Sequence, residues 1–506
     1  MAFRLSGLAS GMDTESMVKE LMKAQRLKTT KIDNKITTTG WKQDKWKNLN
    51  KKIFSLYTDK LAKLKMQGNF NTKKVTSSDD SKVTITANTA ATDGSHTLKI
   101  SQLASSQFVT GKAITSATTV TSATTLASLG VTTSESTSNT VMITGSKEVS
   151  LTLSNTTTVG EFTQAFKDAG LNASYDETQK RFFISSKESG TSNAFSVTST
   201  GTTDLTKLGL NQMTKDTAGV VSIVGTSNIS LVQPKDAKVN YNGADLISST
   251  NTFTANGLTF SLKDTTEAGE EISLSVTKDT QAVYDMVKSF VKSYNELMKE
   301  MNESFYAPSA KGYDPLTDEE KEAMSETQIE QWDDKIKTSL LRRDDNLSSI
   351  MNTMRTSLSK SITVDGKSYS LSNFGIGTTG YTEKGILHID GDVDDSVLSG
   401  KTNDLMKALT ENPDTVMKVI TGLADKLYTS LTKSMSSTTL RSALTLYNDK
   451  DMTKSITNYK GDLDVLEEKL QKMEDRYYKQ FSAMETAMAK MNSESSSLAS
   501  MLGTNQ

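Results

Sequence analysis

Apolar residues recur at helical spacing near both ends of the chain and at strand spacing between them. After Asp13, whose carboxylate suits a helix N-cap, Val18, Leu21 and Met22 open an apolar stripe that Ile32 and Ile36 continue. A second stripe carries Trp46, Leu49, Ile53, Leu56, Tyr57, Leu61 and Leu64, with lysines crowding the other face as a solvated surface. From Val75 the period becomes two: Val83 to Ala87 and Leu98 to Ile100 alternate. Serine and threonine dominate Thr115 to Thr140, which reads as weakly structured, β-rich sequence. Val141 to Val197 reads as a unit: a strand at Val149–Leu153, a helix at Thr158–Ala169 burying Val159, Phe162 and Phe166, then strands at Ala173–Tyr175 and Arg181–Ser185. Asn242-Gly243 and Asn256-Gly257 each sit between alternating segments, the strongest short hairpin signal. Ile272 to Val276 closes the β region.

Helical spacing returns with Val283, Val287, Phe290, Tyr294, Leu297 and Met301. Thr317–Glu320 and Ser325–Gln328 are capping-box patterns, and Asp365-Gly366 marks a third hairpin. Heptads written from Ile456 put Ile456, Leu463, Leu470, Tyr477, Met484, Met491 and Leu498 at position a. Position d has Tyr459, Leu466, Met473 and Ala487, with polar breaks at Gln480 and Glu494 and Met501 at the end. At ~1.5 Å per residue such a helix extends on the order of 70 Å and needs a partner, for which the N-terminal helix is the natural choice. The pattern predicts an α+β multi-domain fold: N- and C-terminal helices forming a coiled-coil or helical-bundle stalk, with β-rich head domains inserted between them. Residues 1–40 and 470–506 would form a terminal leg. Residues 41–74 and 278–469 would form a helical stalk domain with small hairpins, its core built on Trp46, Leu49, Ile53, Val287, Phe290, Tyr294, Leu463, Leu466 and Leu470. Residues 75–135 with 218–277, and 136–217, would form two β-rich heads.

Composition narrows the chemistry. The 58 basic and 60 acidic residues leave a net charge of −2, unlike a dedicated nucleic-acid binder. There is no cysteine, so disulfides, thiolate metal sites and cysteine nucleophiles are excluded. His96 and His388 are the only histidines. Both lie near acids, but no Gly-x-Ser-x-Gly elbow accompanies them, and no phosphate loop or His-Glu-x-x-His pair occurs. The alternating aspartates from Asp390 to Asp395 resemble a calcium loop, yet Asp395 stands where glycine is needed and Lys401 where a glutamate is needed. The methionines of the last segment read as adaptable packing rather than copper ligands. No catalysis, cofactor or metal is expected. No stretch approaches ~18 apolar residues, so no membrane insertion is expected either.

Gly7-Leu8-Ala9-Ser10-Gly11-Met12-Asp13, continuing through Val18, Leu21 and Met22, resembles the N-terminal motif of the flagellar filament-capping (FliD) family. Val149–Phe195 is similar to the repeat unit of flagellin-type proteins. Asp236–Gly243, Phe290–Asn295 and Asp475–Leu498 resemble the family's later blocks in the same order. The resemblance implies a non-enzymatic, secreted protein at the filament tip. It would form a homo-oligomeric cap, promote folding and insertion of flagellin, and prevent its loss. It implies as partners flagellin, the hook-associated junction proteins and an export chaperone. Leg contacts would fall on Leu8, Gly11, Asp13, Val18, Leu21, Met22, Tyr477, Phe481, Met484, Met488, Met491, Leu498 and Met501, the plain rival being packing within the stalk. Two rival functions stay open: another flagellar axial protein, or an adhesin taking host mucin or other glycans on its Ser/Thr-rich head.

Overall fold

The computed structural model describes residues 13–116, 119–131 and 139–503. Its contacts divide the chain into two units, one built from residues up to Phe70 and from Thr280 onward, the other from Asn71–Asp279. The nesting expected from the change of period is therefore present: a β-rich unit is inserted into a helical one.

In the helical unit the first helix, Thr14–Ser55, starts where Asp13 accepts from the Ser16 backbone N–H at 3.0 Å. It does not end at Ser55. A π-helical turn, Leu56–Leu61, leads directly into Ala62–Lys65. The wider turn inserts a residue and re-aims the stripe. Leu56 and Leu61 are both buried, and Tyr57 stacks on Tyr428 with ring centroids 4.1 Å apart. The sequence reading treated Ile32–Ile36 and Trp46–Leu64 as stripes of separate segments; they lie on one continuous helical path.

Helix Thr280–Phe305 buries the whole expected seam from Val283 to Met301. It joins helices Asp345–Leu358 and Pro413–Ser434 in one core that also holds Trp46, Leu49 and Ile53. Both capping boxes form, Thr317 with Glu320 and Ser325 with Gln328. The segment between them and its neighbours braces the first helix. Lys337 lies 4.7 Å over the Trp41 ring and Lys42 pairs with Asp344 at 2.8 Å. Trp332 Nε1 donates to the Asp314 carbonyl at 2.9 Å, which folds the proline-containing loop back on helix Glu326–Ser339.

The inserted unit has two cores. One is enclosed by a five-stranded antiparallel sheet, in the order Lys73–Ser77, Ile272–Lys278, Gly94–Gln102, Ala237–Tyr241, Ala244–Ser248, and a three-stranded sheet, Thr252–Ala255, Leu258–Leu262, Val83–Ala87. Asn242 and Asn256 adopt φ of 49° and 47°, each followed by a left-handed glycine, as the hairpin signals require. The other core lies between a five-stranded sheet containing Thr140–Thr144 and Ser196–Ser199 and a four-stranded sheet, Ile229–Val232, Phe108–Gly111, Arg181–Ser186, Leu171–Asp176. Helix Val159–Asp168 fills it with Phe162 and Phe166, which pack edge-on at 5.2 Å.

Two features of this second core differ from the sequence reading. Val109, Ile114, Val120, Leu126, Val131, Val221, Ile229 and Leu231 belong to it, whereas the periodicity alone placed them with the other head. The Ser/Thr-rich stretch after Ile114 forms no strand among its described residues; it is loop with a 3-10 turn at Ala127–Leu129. Val120, Leu126 and Val131 nevertheless reach full burial, because isolated apolar side chains from a loop can plug a core whose backbone bonds are made elsewhere.

Candidate functional site

The first helix and the last, Asp449–Leu502, run antiparallel against each other. Three contacts set the register. Gln43 Nε2 donates to Thr453 Oγ1 at 3.1 Å, Lys35 lies 5.6 Å over the Tyr459 ring, and Arg26 meets Glu474 at 3.7 Å. Extending that register puts Val18 and Met22 beside the Tyr477–Phe481 stretch. Both are buried, as are Thr14 and Thr29 on the same stripe. Leu21, Met17 and Leu27 lie off that stripe and are exposed. Asp13 is the helix cap. Burial of Val18 and Met22 within the chain is the intramolecular packing that the sequence analysis set against partner contact.

Toward its C-terminal end, the half-buried positions of the last helix include Leu470, Met473, Tyr477, Phe481, Met484 and Met488. Their intervals read three, four, four, three, four. That is an eleven-residue step, about 3.67 residues per turn, close to a straight α-helix. The strict heptad is corrected here. Gln480 is not a seam residue but an exposed one, and Phe481 takes its place. Glu494 likewise lies on the surface, 4.0 Å from Lys490. Leu463, Leu466 and Leu470, expected in the stalk core, are only half-buried and outside the main core. A helix packed against a single neighbour shields one side of each seam residue and leaves the other to water. Trp46, Leu49, Ile53, Val287, Phe290 and Tyr294 do lie in that core.

Beyond Met488 every residue from Ala489 to Ser500 is exposed. Met491 is 67% and Leu498 59% exposed, set among serines. Leu8 and Gly11 lie outside the described residues, and so does the side chain of Met501.

The acidic loop is a different arrangement from the calcium loop it resembles. Asp390 pairs with Lys401 at 3.2 Å, Asp392 and Asp394 both bind Lys288, and Asp395 Oδ2 meets His388 Nδ1 at 2.5 Å. The other ring nitrogen of His388, Nε2, meets Glu383 at 2.8 Å. A neutral imidazole has one donor, so bonding two carboxylates requires the imidazolium. Burial pulls the His388 pKa down, and the bonds to Asp395 and Glu383 more than reverse this, leaving it raised. Glu383 is lowered, chiefly by the Thr379 hydroxyl; burial pushes Asp395 up, and the bond and charge of His388 together with the Val397 and Leu398 backbone N–H groups outweigh it, leaving it lowered. The clamp's contribution is thus complete below the ordinary histidine pKa of about 6.5 and is lost as pH rises through the higher folded value. It is lost again in acid as the carboxylates protonate. His388→Gln, which keeps one bond, should lower the melting temperature of the helical unit at pH 6, and the gap from wild type should close at alkaline pH. A gap independent of pH from 6 to 10 would contradict the charged clamp. His96 is also fully engaged. Nε2 contacts the Thr92 carbonyl at 3.0 Å, and Nδ1 contacts Tyr241 Oη at 3.0 Å and Asn242 Nδ2 at 2.9 Å. Among the described residues neither histidine hydrogen-bonds to a serine hydroxyl.

No described helix is long and apolar enough to cross a membrane. Comparison with known proteins bears directly on the terminal helices. The family model described as flagellar hook-associated protein 2 C-terminus matches residues 234–493, and its N-terminal counterpart matches residues 10–107. Flagellar hook-associated protein 2 of Halalkalibacterium halodurans is 28% identical over 98% of this chain and 99% of its own. The A-type flagellar hook-associated protein 2 of Pseudomonas aeruginosa is 29% identical over 58% of this chain and 62% of its own. The crystal structure of the D1-D2-D3 domains of the flagellar cap protein FliD from Escherichia coli superposes with a TM-score of 0.51 at 19% identity, covering 78% of this chain and 97% of that one, a likeness of fold. These relatives are hook-associated cap proteins, and none lends support to the adhesin reading. A chain matched over more than half its length by the C-terminal model and again near its start by the N-terminal one belongs to the flagellar hook-associated protein 2 family, the proteins that cap the flagellar filament.

Proposed function

We infer that this protein is the structural cap at the distal end of a bacterial flagellar filament, promoting folding and insertion of flagellin beneath it and preventing its loss. Family membership carries the cap function, the place outside the cell and association of copies with one another. Its finer partners, the hook-associated junction proteins and an export chaperone, follow from the same reading.

For the filament contact, the observation that supports it is the last turns of Asp449–Leu502, where the seam has ended and the helix is exposed on every side. Met491 and Leu498 supply small apolar contacts in a serine-rich surround. Such contacts release easily, which suits a cap that must hold its place and yet move as each flagellin enters. Leu21 offers a similar contact on the first helix. Val18, Met22, Tyr477, Phe481, Met484 and Met488 then serve mainly to hold the two helices together.

The test is Met491→Lys with Leu498→Lys. Neither side chain packs inside the chain, so melting should stay within ~0.5 kcal/mol of wild type in stability. Filaments should shorten and flagellin should accumulate in the medium. Filaments of normal length from the double variant would rule this contact out.

A further inference from the structure

The four-stranded sheet of the inserted unit turns one face to the core and leaves the other uncovered. Strand alternation assigns the sides. Leu231, Val109, Ile184 and Ala173 face inward, while Val232, Phe108 and Phe183 face outward. Val232 lies directly across from Phe108, and Phe183 is one diagonal step away on the next strand. Phe108 is 50% and Phe183 40% exposed, and they line a shallow groove of about 600 Å³. Lys167 and Lys187 line the same groove, and Arg181 stands on the same face across from Asp176. None of the three cations has an ion-pair partner among the described residues. An apolar strip bordered by unpaired cations calls for an occupant that is apolar and anionic together.

The helical unit carries a segment of that chemistry. Between Asp390 and Val397 four aspartates alternate with Val393 and Val397. Lys288, Lys401 and His388 staple the loop through all four carboxylates, and the Gly391 N–H donates to the Leu398 carbonyl at 3.0 Å. Despite this, Val393 is 84% and Val397 60% exposed, and the Asp394 side chain beside them is mostly open to water. The loop holds two valines and a carboxylate in a fixed outward pose, so docking would order little that is not already ordered.

We propose that the outward face of this sheet is a socket for the Asp390–Val397 loop of a second copy of the chain. Val393 and Val397 enter the groove against Phe108 and Phe183, and the outward carboxylate of Asp394, open to water on the side away from Lys288, meets the cations Lys167, Lys187 and Arg181. Because knob and socket are different surfaces, the contact is head-to-tail, and its repetition joins copies into a ring when the rotation closes. The proposal rests on the cap reading only in taking self-association as given.

The absence of cysteine from the chain makes the test direct. Full-length Phe183→Cys carrying one tag is mixed with full-length Val393→Cys carrying another under mild oxidation. A disulfide between differently tagged chains is expected, because the two Cα atoms would come within the ~4.4–6.8 Å that the bond needs. A mixed disulfide no faster than that given by Tyr306→Cys, an exposed control on the helical unit, would overturn the proposal. So would exclusive 183–183 or 393–393 pairing. In parallel, Val393→Ser with Val397→Ser, and separately Lys167→Glu with Lys187→Glu, should each weaken self-association in sedimentation by about tenfold or more. All four side chains are on the surface, so folding should persist. Unchanged association in both variants would also overturn it. Failure of the wild-type chain to restore filaments in cells lacking their own cap would count against the cap reading alone, since neither readout here depends on filaments.

Discussion

A chain ending after Tyr478 should keep its inserted unit folded and lose capping altogether. Both cores of the inserted unit are built from residues between Val83 and Val276, and no residue of the last helix enters either. Their unfolding transition should therefore stay where it is in the full chain. The helical unit changes more. The truncation removes Phe481, Met484 and Met488, and with them the cover over the start of the first helix. Uncovering Val18 and Met22 forfeits roughly 1.5–3 kcal/mol of burial for each side chain, enough to fray the helix from Thr14 toward Thr29. It also removes the exposed turns offered to the filament. In cells relying on this variant, flagellin should appear in the culture medium and filaments should be absent or very short. Filaments of ordinary length would defeat the role given to the paired helices.

Trp46→Ala should destabilise the helical unit by about 3–5 kcal/mol. The Trp46 side chain is 0% exposed and stacks on Tyr447, ring centroids 5.5 Å apart and planes 8° from parallel. That contact ties the first helix to the chain just before the last one, so the lost ring loosens both partners of the pair. Trp46→Phe keeps a stacked ring, and the indole Nε1 has no hydrogen-bond partner to lose among the described residues. It should therefore cost much less, nearer 1–2 kcal/mol. The measurement is urea unfolding of the full chain. All three tryptophans, Trp41, Trp46 and Trp332, belong to the helical unit, so Trp41 and Trp332 fluorescence still follows that unit in the variant. Hydrogen exchange of peptides from Asn71–Asp279 follows the strands of the other. The fluorescence midpoint should fall while the strand transition stays in place, since the two units have separate cores. A loss under 1 kcal/mol, or equal shifts of both transitions, would show that this core is not organised around Trp46.

The paired helices and the His388 clamp were legible to different degrees. The cap at Asp13, the two capping boxes and the Asn-Gly turns each depend on residues within three positions of one another, and each forms as the sequence implies. The seam from Val283 to Met301 is equally local and equally faithful. The step at Phe481 was not legible. Tyr477, Gln480 and Phe481 fit a heptad or an eleven-residue repeat, and only the facing helix selects between them by covering Phe481. The clamp escaped notice because its parts read as a poor calcium loop; Lys288, which neutralises two of its aspartates, lies 104 and 106 residues upstream.

The sequence by itself determined the helical ends, the β-rich centre and their nesting, because hydrophobic period and turn chemistry act over a few residues. It also carried enough of the family's motifs to point to a filament cap. Tertiary structure alone decided which strands share a core, as when Phe108–Gly111 pairs with both Ile229–Val232 and Arg181–Ser186. It alone decided that a Ser/Thr-rich loop plugs one of those cores, and that the end of the last helix stands uncovered. The reason is the same in each case. Burial belongs to a pair of surfaces, and the second surface is supplied by residues far away along the chain.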